Sequence, residues 1–224
     1  MIKACLFDMD GVIVDTAKFH FLAWKRLADT LSIDFTEEQN EQLKGVSRVD
    51  SLEKILSWGH LVLDNNKKIE LMELKNKWYL EYVEGVSPED MLPGAHNLLL
   101  DIHKNGLKIG LGSSSKNSIL ILEKMGIIHL FATIIDGTKI HFSKPHPEVF
   151  QKGAAELNLT PSEIVVFEDA ISGVEAAKAG GFFCIGIGDK VVLKSADVVV
   201  PNLEGMDVAK MNELVRSIAT RRDA

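Results

Sequence analysis

The chain has 224 residues, of which 46% are hydrophobic, and a formal net charge of −7 at neutral pH. That length accommodates one well-buried core with room for an inserted lobe. The negative balance excludes a general affinity for nucleic acid or an anionic membrane surface, so an anionic ligand must be met by a few cations gathered locally.

The first segment, IKACLF at residues 2–7, is short, apolar and rich in strand formers, and it predicts a buried strand that runs straight into Asp8. Cys5 lies in this run and Cys184 in a later one, which points to two buried, reduced thiols rather than a disulfide or a metal site. From about Thr16 the period becomes helical. Phe19, Ala23, Leu27 and Leu31 recur on one stripe, and His20 and Trp24 mark the neighbouring one. Three further helices are predicted: FTEEQNEQL behind a Thr36 cap, SRVDSLEKILSW with Ser47 three residues before Asp50, and the long NNKKIELMELKNKWYLEYV. Pro88, Pro93 and Gly94 end this block and provide a hinge.

Beyond the hinge, helix and strand alternate. The helices AHNLLLDIHKN (ended by Gly106), NSILILEKM, PEVFQKGAAEL and SGVEAAKAG precede the strands LKIGLG, ATIID, EIVVF and FCIGIG in turn. A last apolar run, DVVV, and a helix from about Met206 to Ser217 follow. This alternation predicts an α/β fold, a parallel sheet with helices on both faces. No apolar stretch reaches membrane-spanning length and no secretory leader precedes Asp8, so the expected location is cytoplasmic.

In an open parallel sheet, ligands bind at the carboxyl ends of the strands. Those ends carry Asp8 and Asp10; Ser113, Ser114, Ser115, Lys116 and Asn117; Lys144 in SKPHP; and Glu168 with Asp169. Taken singly, several have structural readings: Asp169 and Ser115 as helix caps, Lys144 as a solvated loop charge, His20 as a rim histidine. As a set they fit phosphoryl transfer. Carboxylates from two strands suit a hard cation, Mg²⁺ rather than zinc, held by Asp8, Asp169 and the Asp10 carbonyl, with Glu168 behind them or acting through water. Asp8 can then serve as nucleophile and Asp10, projecting to the same side, as general acid and base. Ser113 can hydrogen-bond phosphoryl oxygens and Lys144 can neutralise the charge that builds on them.

DMDGVIVDT, GSSSKN, SKPHP and FEDAISG resemble, in order and spacing, the four motifs of the haloacid dehalogenase-like phosphotransferases. The resemblance implies a Rossmann-like core at 1–15 and 88–224 with an inserted all-helical cap domain at 16–87. Within the cap, FHFLAWKRLA and EQLKGVSRVDSL are similar to the family's sugar-phosphate mutases, which move a phosphoryl group between two oxygens of one sugar through a bisphosphate. That similarity places Arg48 on the distal phosphate, with Lys116 and Asn117 contacting the same ligand from the core side. It adds Thr16, His20, Trp24, Lys44, Gly45, Val46, Ser51, Lys75, Asn76, Ser114 and Ser115 as substrate-binding residues. The implied partner is a small phosphorylated sugar, the implied cofactor Mg²⁺, and the expected state a monomer. Ala170 departs from the pattern, standing where the resemblance would place a serine. The alternative within the family is a Mg-dependent sugar-phosphate or phosphoglycolate-type phosphatase. A phosphorylation-controlled receiver module also carries strand-end aspartates and a lysine, but it is about half as long and lacks a helical insert after its first strand.

Overall fold

The computed structural model describes residues 1–222. Six strands, β1 (Ala4–Phe7), β2 (Lys108–Gly112), β3 (Thr133–Ile135), β4 (Ile164–Glu168), β5 (Phe183–Ile187) and β6 (Val198–Val200), form one sheet in the order β3-β2-β1-β4-β5-β6. Every neighbouring pair is parallel. The chain builds outward from β1 on one side, then crosses back to β4 on the other, and this reversal opens a crevice at the carboxyl end of β1. The register aligns the strand ends: Phe7 lies opposite both Leu111 and Phe167.

The central strands are apolar without alternation because both faces are covered. Side chains of β1 divide by parity. Cys5 and Phe7 pack with Val165, Phe167 and Ile185 under α5 (Ala95–Lys104) and Met211 of α9 (Val208–Arg222), while Ala4 and Leu6 pack with Val166 and Cys184 under α7 (Glu148–Leu157) and α8 (Ile171–Ala179). The Phe7 and Phe167 rings stack with centroids 4.6 Å apart. Both cysteines are buried and free, as expected, and burial pushes their thiols upward in pKa. The remaining helix of this half is α6 (Ser118–Lys124).

Between β1 and β2 lie α1 (Ala17–Thr30), α2 (Glu37–Glu41), α3 (Arg48–Trp58) and α4 (Asn65–Val83). Trp24 and Leu27 of α1, Leu52 and Ile55 of α3, and Tyr79 and Val83 of α4 form their shared interior. The caps follow the sequence: Thr36 and Gln39 bond reciprocally ahead of α2, Ser47 accepts from the Asp50 amide ahead of α3, and Gly106 takes a left-handed conformation after α5. The two crossings between helical block and sheet run side by side. The Asp15 amide donates to the Asp90 carbonyl at 3.2 Å and the Leu92 amide to the Ile13 carbonyl at 2.9 Å. The last helix differs from the sequence reading: α9 starts at Val208 and runs to Arg222 rather than from about Met206 to Ser217. No helix among the described residues is long and apolar enough to cross a membrane.

Candidate active site

Asp8 leaves β1 at the sheet's crevice, its amide donating to the Phe167 carbonyl, so that the first residue beyond the strand is still held in register. Its Oδ1 meets Lys144 Nζ at 2.5 Å, and the same ammonium lies 2.5 Å from Glu168 Oε1. Lys144 is therefore not a solvated loop charge, since its side chain is fully buried. Burial alone would lower its pKa, but the Asp8 and Glu168 carboxylates outweigh that and raise it. The Glu168 Oε2 accepts from the Ala170 amide at 2.8 Å, which fixes the carboxylate that in turn aims Lys144.

Asp10 sits where β1 has given way to a turn. Burial first, and then the charge of Asp8, push its carboxyl up to about 7. Thr16 precedes α1 but makes no cap bond, because its hydroxyl donates instead to Asp10 Oδ1. Behind this pair, Lys75 Nζ is 2.8 Å from His20 Nδ1 and lies over the Trp24 and Tyr79 rings at 4.8 and 4.9 Å. Lys75 as an ammonium can only donate, and with that charge Nδ1 accepts and the imidazole proton sits on Nε2, which faces Asp10 Oδ1 at 3.8 Å without a hydrogen bond. Burial, followed by the charges of Lys75 and Arg48, holds His20 well below its ordinary pKa and hence neutral. Burial and Arg48 likewise depress Lys75.

One cavity of about 80 Å³ gathers most of the residues expected from the sequence. Asp8, Asp10, Ser113, Ser114, Ser115 and Lys116 line it from the strand ends; His20, Trp24, Lys44, Gly45, Val46, Arg48, Ser51 and Lys75 line it from the helical block. Three expected substrate contacts do not line it. Thr16 is fully buried and spends its hydroxyl on Asp10. Asn76 takes bonds from Arg48 Nη2 at 2.7 Å and from Asn117 Nδ2 at 3.0 Å, so Asn76 and Asn117 orient the guanidinium rather than face the cavity. Ser115 behaves partly as its structural reading had it, accepting from the Asn117 amide, and the Ser114 hydroxyl is donated to the Gly45 carbonyl. Asn40, Leu43 and Ala17 also line the cavity and were missed, as was Tyr79, whose ring packs 4.1 Å from His20. Tyr79 stands four residues after Lys75, one helical turn along the same face, and that spacing was a usable signal.

Asp169 does not cap α8, whose N-cap is Ala170 with no side-chain bond. Its carboxylate presses on the Asp10–Gly11 peptide, where a Cβ on Gly11 would lie 2.3 Å from Asp169 Oδ2, so only glycine permits the approach. Burial, then the charges of Glu168 and Asp8, push Asp169 well above the ordinary carboxylate range. Among the described residues no three His, Cys, Asp or Glu side chains form a metal cluster. What comes together is two carboxylates, Asp8 and Asp169, with Asp169 against Gly11: oxygen donors carrying repulsion that a hard divalent cation would relieve. The residues fit such an ion.

The profile of the haloacid dehalogenase-like hydrolase family matches residues 2–181. The chain is 41% identical over 213 residues to the beta-phosphoglucomutase of Bacillus subtilis (strain 168), covering 94% of each protein. It is 30% identical over 183 residues to the phosphorylated carbohydrates phosphatase of Thermotoga maritima, covering 80% of this chain and 82% of that one. Its fold superposes on the crystal structure of beta-phosphoglucomutase from Clostridium difficile with a TM-score of 0.95 and 38% identity, over 98% of this chain and 100% of the other.

Proposed function

Because the chain belongs to the haloacid dehalogenase-like hydrolases, we propose that it is a magnesium-dependent phosphoglucomutase, interconverting β-D-glucose 1-phosphate and glucose 6-phosphate through an aspartyl phosphate and a bound β-glucose 1,6-bisphosphate. The observation that carries this reading is the polarity of one cavity: Asp8 and Asp10 on the strand-end wall face Arg48, Lys75 and Lys44 on the helical wall. A phosphate at Asp8 leaves the second phosphate of a bisphosphate within reach of that cationic wall. A simple phosphatase has no need for such a second site. The likeness to the Bacillus subtilis and Clostridium difficile proteins supports the same choice. Both walls come from one chain, so the site needs no residue from a second subunit.

In the forward half-reaction a sugar hydroxyl attacks the phosphorus on Asp8. The new sugar O–P bond forms as the Asp8 Oδ–P bond breaks, and Asp10 takes the hydroxyl proton. In the second half the bisphosphate has turned over, Asp8 attacks its other phosphorus, and Asp10 returns the proton to the departing sugar oxygen. The Asp8 and Asp169 carboxylates and the Asp10 carbonyl would hold a magnesium ion, which would supply the positive charge that lets an anionic nucleophile meet an anionic phosphate. Lys144 and Ser113 meet the phosphoryl oxygens as charge spreads over them, and Glu168 keeps Lys144 aimed. Thr16 holds Asp10 in place through its hydroxyl.

A cavity of about 80 Å³ holds only a few waters, far less than a sugar bisphosphate. The helical block, the cap domain of residues 16–87, must therefore swing away to admit its ligand, hinging at the paired crossings near Asp15 and Asp90. Reclosure excludes water from the aspartyl phosphate. The test is to supply the Mg²⁺-bound protein with β-glucose 1-phosphate and a trace of the β-1,6-bisphosphate. Glucose 6-phosphate is the expected product, with the α anomer left untouched. Steady release of inorganic phosphate without glucose 6-phosphate overturns the mutase reading in favour of a sugar-phosphate phosphatase, the activity named for the Thermotoga maritima relative.

A further inference from the structure

Residues 44–50 carry Arg48 into the cavity, and three serine hydroxyls from the sheet half fasten that segment. Ser114, after β2, donates to the Gly45 carbonyl at 2.7 Å. Ser172, in the first turn of α8, donates to the Lys44 carbonyl at 2.7 Å. Ser143, the residue before Lys144, donates to Asp50 Oδ2 at 2.6 Å, an oxygen that also takes the Ser47 hydroxyl. The seam is tight: Gly45 has φ +71°, and a Cβ there would lie 2.6 Å from Ser172 Oγ. Of the three, Ser172 alone stands clear of the reaction, since Ser114 lines the cavity and Ser143 adjoins Lys144.

We infer that Ser172 is a positioning residue, one point of a three-hydroxyl latch whose hold on residues 44–50 sets how often the phosphoryl group on Asp8 passes to water instead of to sugar. The consequence rests on the proposed mutase reading, whereas the latch itself can be read without chemistry. When the seam opens, water reaches the aspartyl phosphate. A water oxygen bonds phosphorus as the Asp8 Oδ–P bond breaks, the water proton goes to Asp10, and free Asp8 carboxylate and inorganic phosphate result. Ser172 touches neither group and acts only through the fraction of time the segment is seated.

The experiment compares wild type, Ser172→Ala and Ser172→Thr as Mg²⁺-bound full-length protein. Hydrogen exchange of the Gly45 and Val46 amides reads the seam directly, and the lifetime of enzyme phosphorylated by acetyl phosphate reads water attack. Losing one hydrogen bond of the latch should speed both by about two- to tenfold. Acetyl phosphate should still label Asp8 fully and no more slowly than in the wild type, because entry needs the segment open and not the Ser172 hydroxyl. Threonine, which keeps the hydroxyl, should restore both readouts. Wild-type exchange at Gly45–Val46 together with a wild-type phosphoenzyme lifetime in Ser172→Ala overturns the inference, as does faster exchange spread evenly over the chain with a lowered Tm. A wild-type protein that makes no glucose 6-phosphate removes the mutase reading instead, and the exchange comparison still decides the latch.

Discussion

Replacing Lys144 by methionine asks whether the strand-end carboxylates depend on one buried cation. The ammonium has no exposed surface and lies 2.5 Å from each of Asp8 Oδ1 and Glu168 Oε1. Methionine follows nearly the same path, so the change removes charge and donors more than volume. Deleting one partner of a buried ion pair costs about 3–5 kcal/mol, because the charge left behind is uncompensated. Here two carboxylates are left, and protonation of one of them keeps the loss near that range rather than doubling it. Urea unfolding with a chelator present, so that no cation stands in for the lysine, should show this loss at about pH 8. The sign with pH follows from Glu168. Burial, and then Asp8, already raise its pKa against the opposing pull of Lys144, and without Lys144 it rises further. A carboxyl with a folded pKa above its unfolded value binds more protons when folded, so the variant loses stability as pH climbs from the ordinary value through the raised one. Lys144 in the wild type is raised above 10.5, so its own contribution is complete throughout this window and fades only at higher pH. The gap between wild type and Lys144→Met should therefore widen from about pH 5 to about pH 8. Adding Glu168→Gln should recover part of it, since the amide keeps an acceptor for the Ala170 amide without the charge. A loss below about 1 kcal/mol at the higher pH, the scale of an exposed pair, or a gap that does not change with pH, would refute the reasoning.

Asp8→Asn should abolish phosphoenzyme formation by intact-mass measurement, while Asp10→Ala slows turnover by about two to four powers of ten and leaves Mg²⁺ affinity by titration nearly unchanged, because Asp10 offers the ion only its carbonyl. Arg48→Ala should depress glucose 6-phosphate formation far more than hydrolysis of acetyl phosphate, and Arg48→Lys should regain little, since the fork that meets Asn76 and a phosphate together is lost; equal effects on both reactions would remove Arg48 from the distal phosphate. Asp169→Asn should raise Tm in chelator, because it deletes a carboxylate whose charge is opposed by Glu168 and Asp8, and should abolish the Tm increase that Mg²⁺ gives the wild type. Glu148 accepts from the His141 and Phe142 amides and pairs with Lys152, which together hold its carboxyl down to about 2. Its contribution is complete above the ordinary carboxyl value and is lost as pH falls through about 2, so Glu148→Gln should lower Tm at neutral pH and converge with wild type in strong acid.

The sheet was legible because its strands are short apolar runs set between helices of clear period, and because parallel strands joined by helical crossovers must all present their carboxyl ends on one rim. That topological necessity is why Asp8, Ser113, Glu168 and Asp169 group together on the sequence pattern alone. Burial in loops was not legible. Lys144 lies in SKPHP, a stretch without period, and nothing local distinguishes a solvated lysine there from one sealed between two carboxylates. The same holds for Asn40 and Leu43, which reach the cavity only because the helical block is seated on the sheet. The resemblance places Asn76 and Asn117 on the ligand, but Asn76 Oδ1 is the acceptor for both Asn117 Nδ2 and Arg48 Nη2. Ala170 drew attention for a hydroxyl it lacks, whereas the hydroxyl at that seam belongs to Ser172.

The electrostatics of the two walls explain why closure and ligand belong together. On the strand-end wall Asp10 and Asp169 are raised first by burial and then by the like charges beside them, Asp8 for Asp10 and Glu168 and Asp8 for Asp169. On the helical wall Lys75 has a neutral imidazole and two aromatic rings for company, and Arg48 has an amide; burial depresses the pKa of both, and the charge of Arg48 depresses Lys75 further. Neither wall therefore satisfies the other directly. A divalent cation between the carboxylates relieves the first wall, and an anion against Arg48 and Lys75 relieves the second. A sugar carrying a phosphate at each end does both when one phosphate lies at the metal and the other at the cap. A ligand with a single phosphate relieves only one wall at a time, and it leaves the closed state correspondingly less stable. Discrimination for a bisphosphorylated sugar is thus built into the cost of closing the cavity without one, and the hydroxyls of Ser114, Ser143 and Ser172 need add only enough to hold the seam while the phosphoryl group rests on Asp8.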